Sequence, residues 1–321
     1  MKRILIIQTA FLGDVILMTP VATELHRLFP ESSIDVLVKK GNESLLANHP
    51  AINTVHVFDK SNGKWRSMLR LIRQFRTQKY DLVINLHRFA SSGIITGLSG
   101  GRKKYGFKKN PFSFSYSKSF PHTIGDGTHE VERNLLLIKE FGAETLVRPS
   151  LYPSTTDGDT IEQYKKEAYI CLAPASVWFT KQLPTEKWIA LINQLGPDQH
   201  FYLLGAPSDY DLCESIRSQF QSTTIVNLAG KLSLLQSAAL MQTAKRNYVN
   251  DSGPLHLASS VNAPVTAFFC STIPAFGFGP LSDDATVLEV QEPLSCRPCG
   301  LHGHKSCPEG HFNCAKIDLT Q

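Results

Sequence analysis

Short runs of unbroken apolar residues, each followed by a stretch with helical spacing, recur along both halves of this chain and leave it few ways to fold. The first run, residues 2–8, carries four consecutive aliphatic side chains, Ile4, Leu5, Ile6 and Ile7. A segment apolar on both faces suits a strand covered on both sides, which is the habit of parallel sheets. A turn at Gly13 and Asp14 follows, then helical spacing over 15–28, ending at Pro30. Strands are predicted at 34–38, 54–58 and 81–86. Residues 67–75 alternate Leu and Ile with Arg at helical spacing, an amphipathic helix with a basic outer face. The second half repeats the pattern, with strands at 169–172, 201–204, 247–249 and 265–269. Its helices fall at 185–195, 210–220, 234–243 and 253–261. Between the halves, residues 148–158 are rich in Pro, Ser, Thr and Gly and have no periodicity, as a linker would. The fold class is therefore α/β. We expect two facing Rossmann-like domains, 1–150 and 159–321, with a cleft at the carboxyl ends of their strands, where such sheets bind ligands.

The formal net charge of +5 conceals a division. Residues 1–150 carry a net +10 and residues 151–321 a net −5, so the halves should meet different partners. No apolar run approaches the ~20 residues that span a bilayer. The four apolar residues after Met1-Lys2-Arg3 are too few for a signal peptide, which predicts a cytoplasmic protein. Basic residues cluster at Lys64, Arg66, Arg70, Arg73 and Arg76, and again at Arg102, Lys103, Lys104, Lys108 and Lys109. They lack the interleaved stacking aromatics of a nucleic-acid surface, and no nucleic acid is expected as partner.

Three segments carry candidate chemistry. Asp14, after Gly13, stands at a helix start beyond the first strand. There a carboxylate either caps the helix or serves as a general base, and glycine before it lets a substrate approach the backbone. In 174–184 (PASVWFTKQLP), Lys181 precedes a helix start, where the positive end of the dipole disfavours it unless an anion lies between them. Ser176 and Lys181 thus suggest a phosphate cradle, with a solvated lysine as the alternative. In 250–256 (NDSGPLH), a strand runs straight into a helix, and amides near Ser252 and Gly253 can hold a diphosphate. His256 suits either that site or an ordinary core position. No G-x-G-x-x-G or Walker loop follows a strand.

These segments, in this order, resemble the ADP-heptose:lipopolysaccharide heptosyltransferases of glycosyltransferase family nine, which have the GT-B arrangement of two Rossmann-like domains. The likeness is carried by Leu12-Gly13-Asp14-Val15-Ile16, by 80–87 and 101–107, and most specifically by Asn250-Asp251-Ser252-Gly253-Pro254-Leu255-His256. It implies inverting, metal-independent transfer of a heptose from an ADP-sugar donor to the inner core of lipopolysaccharide, with no cofactor required. Asp14 would be the base. Ser176, Lys181, Asp251, Ser252, Gly253 and His256 would bind the donor, with Asp209 or Asp211 on the ribose. Gly13, Arg102, Lys103 and Lys104 would meet the acceptor. Peripheral contact with the cytoplasmic face of the inner membrane follows from the acceptor's location. The family's Lys-x-Trp-Pro reads Lys181-Gln182-Leu183-Pro184 here. A transferase using another nucleotide sugar and a non-catalytic sugar-nucleotide or anionic-glycan binding protein are the alternatives. The intact Gly13-Asp14 favours an enzyme.

Four of the seven cysteines, Cys296, Cys299, Cys307 and Cys314, crowd into a tail at 296–314 together with three histidines. The spacing allows a structural zinc site, and free or redox-labile thiols are the other reading.

Overall fold

The computed structural model describes residues 1–61, 63–165 and 167–319. The chain forms two compact units: Met1–Ile124 with Thr128–Tyr152, and Gly125–Gly127 with Pro153–Gln321. The first contains β1 (Arg3–Gln8), α1 (Leu12–Ile16), α2 (Thr19–Leu28), β2 (Ser33–Lys39), β3 (Thr54–Phe58), α3 (Lys64–Gln78), β4 (Leu82–Asn85), α4 (Ala90–Leu98), β5 (Lys103–Phe107), β6 (Lys118–Phe120) and α5 (Glu130–Leu136). Its strands are all parallel, in the order β3-β2-β1-β4-β5-β6. Ile4 to Ile7 of the central β1 are fully buried, as their unbroken apolar run requires. Met68, Leu71, Ile72 and Phe75 of α3 pack on Leu5, Ile7, Leu37 and Val83.

The second unit contains α6 (Thr155–Ile161), β7 (Tyr169–Ala173), α7 (Thr185–Leu195), β8 (His200–Leu203), α8 (Tyr210–Arg217), β9 (Ile225–Asn227), α9 (Leu234–Gln242), β10 (Arg246–Asn250), α10 (Gly253–Ser260), β11 (Val265–Phe269) and β12 (Ala285–Glu289). Its parallel order, β12-β11-β10-β7-β8-β9, repeats the pattern of the first sheet. In both sheets the first strand lies centrally and the fourth pairs on its other side. That reversal between β1 and β4, and between β7 and β10, makes a topological switch point at the carboxyl edge. No helix among the described residues is long and apolar enough to cross a membrane.

Three local expectations are corrected. Gly13 and Asp14 lie inside α1 rather than in a turn, and the helix expected over 15–28 is broken at Leu17 and Met18. Pro20 is the cause: it has no N–H for the Ile16 carbonyl, and the Thr19 hydroxyl donates to that oxygen instead, at 2.8 Å. The expected linker at 148–158 ends in the start of α6. Ser154 and Asp157 form a reciprocal capping box there, Ser154 Oγ accepting from the Asp157 amide and Asp157 Oδ2 from the Ser154 amide.

The second core closes on Trp188, fully buried and edge-on to Phe268 with centroids 5.3 Å apart, its Nε1 donating to the Leu183 carbonyl at 3.1 Å. Trp188→Ala should lower the unfolding free energy by about 3–5 kcal/mol in urea denaturation. An unchanged midpoint would show that this core is not the unit's keystone.

Candidate functional site

Each switch point carries one part of the chemistry. In the first unit the chain leaves β1 and enters α1 with Phe11 in extended conformation and Asp14 in the first turn, its Oδ2 accepting from the Phe11 amide at 3.2 Å. Asp14 is therefore a helix cap. It is also half-buried, and removal from water, then the charge of Glu130, pushes its carboxyl up to about 6, against the Phe11 hydrogen bond and the charge of Arg88. A carboxylate there is ionised at neutral pH yet a far better proton acceptor than one in water. Beside it, Thr9 Oγ1 lies 2.8 Å from Nδ1 of the buried His87. Burial, then the charges of Lys60 and Arg88, lowers that imidazole to about 4, so it is neutral at pH 7.

The acceptor-side residues expected from sequence are not brought to this edge. Lys103 pairs in register with Leu82, and Leu82 with Ile4, so Arg102 and Lys103 lie where the parallel strands begin, across the sheet from Asp14. Arg102 faces Asp81 at 3.6 Å, and Lys104 Nζ donates to the Gly97 carbonyl at 2.8 Å. Gly13 alone of that set adjoins Asp14. The cations at strand carboxyl ends are Lys39, the last residue of β2, with Lys40 after it, Lys60 after β3, Arg88 after β4, and Lys108 and Lys109 after β5. Lys40 is paired with Asp59 at 2.8 Å. Burial, then the charges of Lys64 and Lys39, lowers the Lys60 ammonium, which marks these three as neighbours. Clusters in the sequence showed positive charge but not which end of a strand it occupies.

In the second unit the 174–184 loop follows β7, and Asn250, fully buried at the end of β10, holds it. Its Nδ2 donates to the Pro174 carbonyl at 2.7 Å, and its Oδ1 accepts from the Leu183 amide at 3.0 Å. Lys181 Nζ meets Asp251 Oδ2 at 2.7 Å, and the Thr272 hydroxyl donates to the same oxygen at 2.6 Å. The anion inferred between Lys181 and the helix start is thus supplied by the chain itself. Asp251 orients the lysine, and a carboxylate so placed would repel a diphosphate rather than bind it directly. Ser252 precedes α10 in extended conformation without a side-chain cap; Pro254 has no N–H and the Leu255 amide donates to the Ser252 carbonyl at 3.1 Å, so the first turn offers a ligand the Gly253 amide. Ser252 Oγ lies 3.5 Å from the Ala175 carbonyl, and the half-buried Ser176 shares this loop. His256 is buried, edge-on to Phe278. Asp209 Oδ2 accepts from the Ala206 amide at 2.8 Å and so closes its own turn, whereas Asp211 is exposed in the first turn of α8.

Sequence reasoning missed the clamp on Lys181. The buried Thr180 hydroxyl accepts from the His304 amide at 2.8 Å and from Ser271 Oγ at 3.0 Å. Gly303 has φ +76°, and a Cβ there would stand 2.8 Å from Thr180 Oγ1 and 3.1 Å from Lys181 Cγ. Arg297 donates to the carbonyls of Phe269, Cys270 and Thr272 and to the Glu289 carboxylate, binding the tail to the end of β11. The tail had been read only for its thiols. Cys314 lies in the hydrophobic core beside Ile317, and burial, then neighbouring Cys299, Cys307 and Cys296, pushes its thiol to about 11. Among the described residues no group of three or more His, Cys, Asp or Glu side chains is placed to hold a metal ion.

A family model for glycosyltransferase family 9 (heptosyltransferase) matches residues 68–309. Lipopolysaccharide heptosyltransferase 3 of Escherichia coli is 28% identical over 284 residues, 82% of each chain. The structure of Escherichia coli ADP-heptose lps heptosyltransferase II has a TM-score of 0.80 at 22% identity, covering 93% of this chain and 96% of that one. That of Escherichia coli heptosyltransferase WaaC with ADP-2-deoxy-2-fluoro heptose has a TM-score of 0.71 at 22% identity, covering 91% and 93%.

Because the Asp14 carboxyl is raised above its unfolded value, the folded state is penalised once both states ionise. Asp14→Asn should therefore melt higher than the parent above pH 6, and the two should coincide below pH 4. Equal melting temperatures at pH 7 would contradict the burial of this charge.

Proposed function

The chain belongs to glycosyltransferase family 9, and from that premise we propose that it moves a heptose from ADP-heptose to a sugar of the lipopolysaccharide core, with inversion at the anomeric carbon. The observation that carries the mechanism is Asp14, a carboxylate of raised basicity at the switch point of the first sheet. In this reading the acceptor hydroxyl oxygen attacks the anomeric carbon, its proton passes to Asp14, and the bond from that carbon to the diphosphate oxygen breaks with ADP keeping the electron pair. The attack comes from the face opposite the leaving group, hence inversion. Negative charge grows on the departing diphosphate, and Lys181 with the Gly253 amide at the start of α10 would stabilise it. The proposed step draws on these side chains and amides, with no metal assigned a part.

The acceptor, bearing carboxylates or phosphates, would meet Lys39, Lys60, Lys64 and Arg88 on the carboxyl edge rather than Arg102–Lys104. We read α3 as the membrane-facing element. It has five cations and no acid, and Trp65 and Leu69, one turn apart, are 63% and 51% exposed. Such a surface suits the anionic cytoplasmic face of the inner membrane.

Incubation with ADP-heptose and core acceptors, followed by mass spectrometry, tests the whole reading. Parent enzyme should yield a product heavier by one heptose, and Asp14→Asn should lose at least about 10²-fold in kcat. A variant of near-parent rate would remove Asp14 as the base. Acceptor-saturated kcat of the parent should fall about tenfold per pH unit below 6. Gly303→Ala, which crowds the Lys181 stem, should raise the ADP dissociation constant several-fold by calorimetry while circular dichroism is unchanged; unaltered affinity would exclude the clamp from donor binding. Trp65→Ser with Leu69→Ser should release the protein from phosphatidylglycerol-containing vesicles in sedimentation.

A further inference from the structure

Behind Asp14 lies a cluster of ionisable side chains that the transfer reading leaves unused. Glu130 opens α5 and is 5% exposed; it accepts from Arg133 Nε at 2.8 Å, and His122 Nε2 lies 3.1 Å from both its oxygens. Arg133 and His122 are equally enclosed, the imidazole standing edge-on to Phe107 with centroids 4.5 Å apart. Burial raises the Glu130 carboxyl, but the hydrogen bond and charge of His122, then the guanidinium of Arg133, outweigh it and hold the group below its ordinary value. Glu130 is thus an anion fixed in the interior. As a device for stability the cluster is poor, because desolvating such groups costs about as much as their attraction contributes.

The helices place this anion toward Asp14. Asn134, one turn beyond Glu130 on the same face of α5, is fully buried and donates from Nδ2 to the Leu17 carbonyl at 3.3 Å. Leu17 closes α1 and stands nearly one turn beyond Asp14. That bond ties one turn past Glu130 to nearly one turn past Asp14 and sets α5 beside the end of α1, and the charge of Glu130 is felt at the Asp14 carboxyl. We propose that Glu130 is a positioning residue for the transfer, a fixed anion braced by His122 and Arg133 whose field makes Asp14 a stronger base. The inference rests on Asp14 being the base. The other groups acting on Asp14 are the Phe11 amide at the start of its own helix, Arg88 from the loop after β4, and its own amide; all three oppose Glu130. His87, on the Arg88 loop, is neutral at the working pH.

The test is the pH profile of kcat/KM. Glu130→Gln keeps the shape of the side chain and removes its charge. Its acid limb should move at least about half a unit toward lower pH, so that at pH 5 it keeps about three-fold more of its own plateau rate than the parent does. A merely structural Glu130 would lower the rate equally at every pH, and an unmoved limb in a folded variant overturns the proposal. Should the lone Arg133 charge prevent folding, Glu130→Gln with Arg133→Met removes both charges, and the same shift is expected of it. Asp14→Asn separates the two failures. If it stays active, the base assignment is wrong; if it is inactive while the limb of Glu130→Gln is unmoved, only the role of Glu130 falls.

Discussion

Everything functional here depends on a central strand with neighbours on both sides. A strand buried on both faces must give all its backbone hydrogen bonds to adjacent strands, and β1 and β7 do so from the middle of their sheets. Because the chain builds outward from each in two directions, the connections after β1 and β4, and after β7 and β10, diverge at one edge. Asp14 leaves β1 at such a gap, and Lys181 and Ser252 follow β7 and β10 at the other. The residues proposed for catalysis and donor binding all follow these divergent strand ends.

The two sites solve opposite electrostatic problems. The first holds a carboxylate partly out of water, where the charge of Glu130 outweighs that of Arg88 and raises it. The second, in the proposed role, must keep a cation ready to receive a diphosphate without leaving it uncompensated. Asp251 and Thr272 hold Lys181 in place, and the tail packs along its aliphatic stem. A long flexible side chain would otherwise lose rotamer freedom on binding, and here that loss is incurred on folding.

The strands and helices with strong periodicity were legible in the sequence. Ile4–Ile7 had to be a buried strand, and α7 falls on 185–195 as its spacing indicated. The two-fold βα pattern gave the fold class, and the junction Asn250-Asp251-Ser252-Gly253 gave the start of α10. Elements of three to five residues, β6, β9 and β12, escaped because so few positions carry no period, and two of them are largely uncovered. The basic cluster at 102–104 misled because charge along a sequence does not say at which end of a strand it falls. Glu130 and Arg133 were silent for a different reason: three residues apart, they read as an ordinary pair on a helix surface, and only the packing of α5 shows them buried together with His122. Of the basic residues named from the sequence, Lys108 and Lys109 do follow a strand's carboxyl end, where Lys40, Lys60 and Arg88 also lie.

The path of the tail has a consequence for how the molecule comes into being. The first unit is complete in sequence by Tyr152 and can close its core as soon as that much chain is free. The second cannot, for its core includes Cys314 and Ile317, and the loop carrying Lys181 is held by His304. A nascent chain would therefore carry a finished first sheet beside an unfinished second one until the final stretch emerges. The order of synthesis completes the surroundings of Asp14 early and those of Lys181 last, so a chain cut short before residue 304 keeps Asp14 and lacks the grip on Lys181.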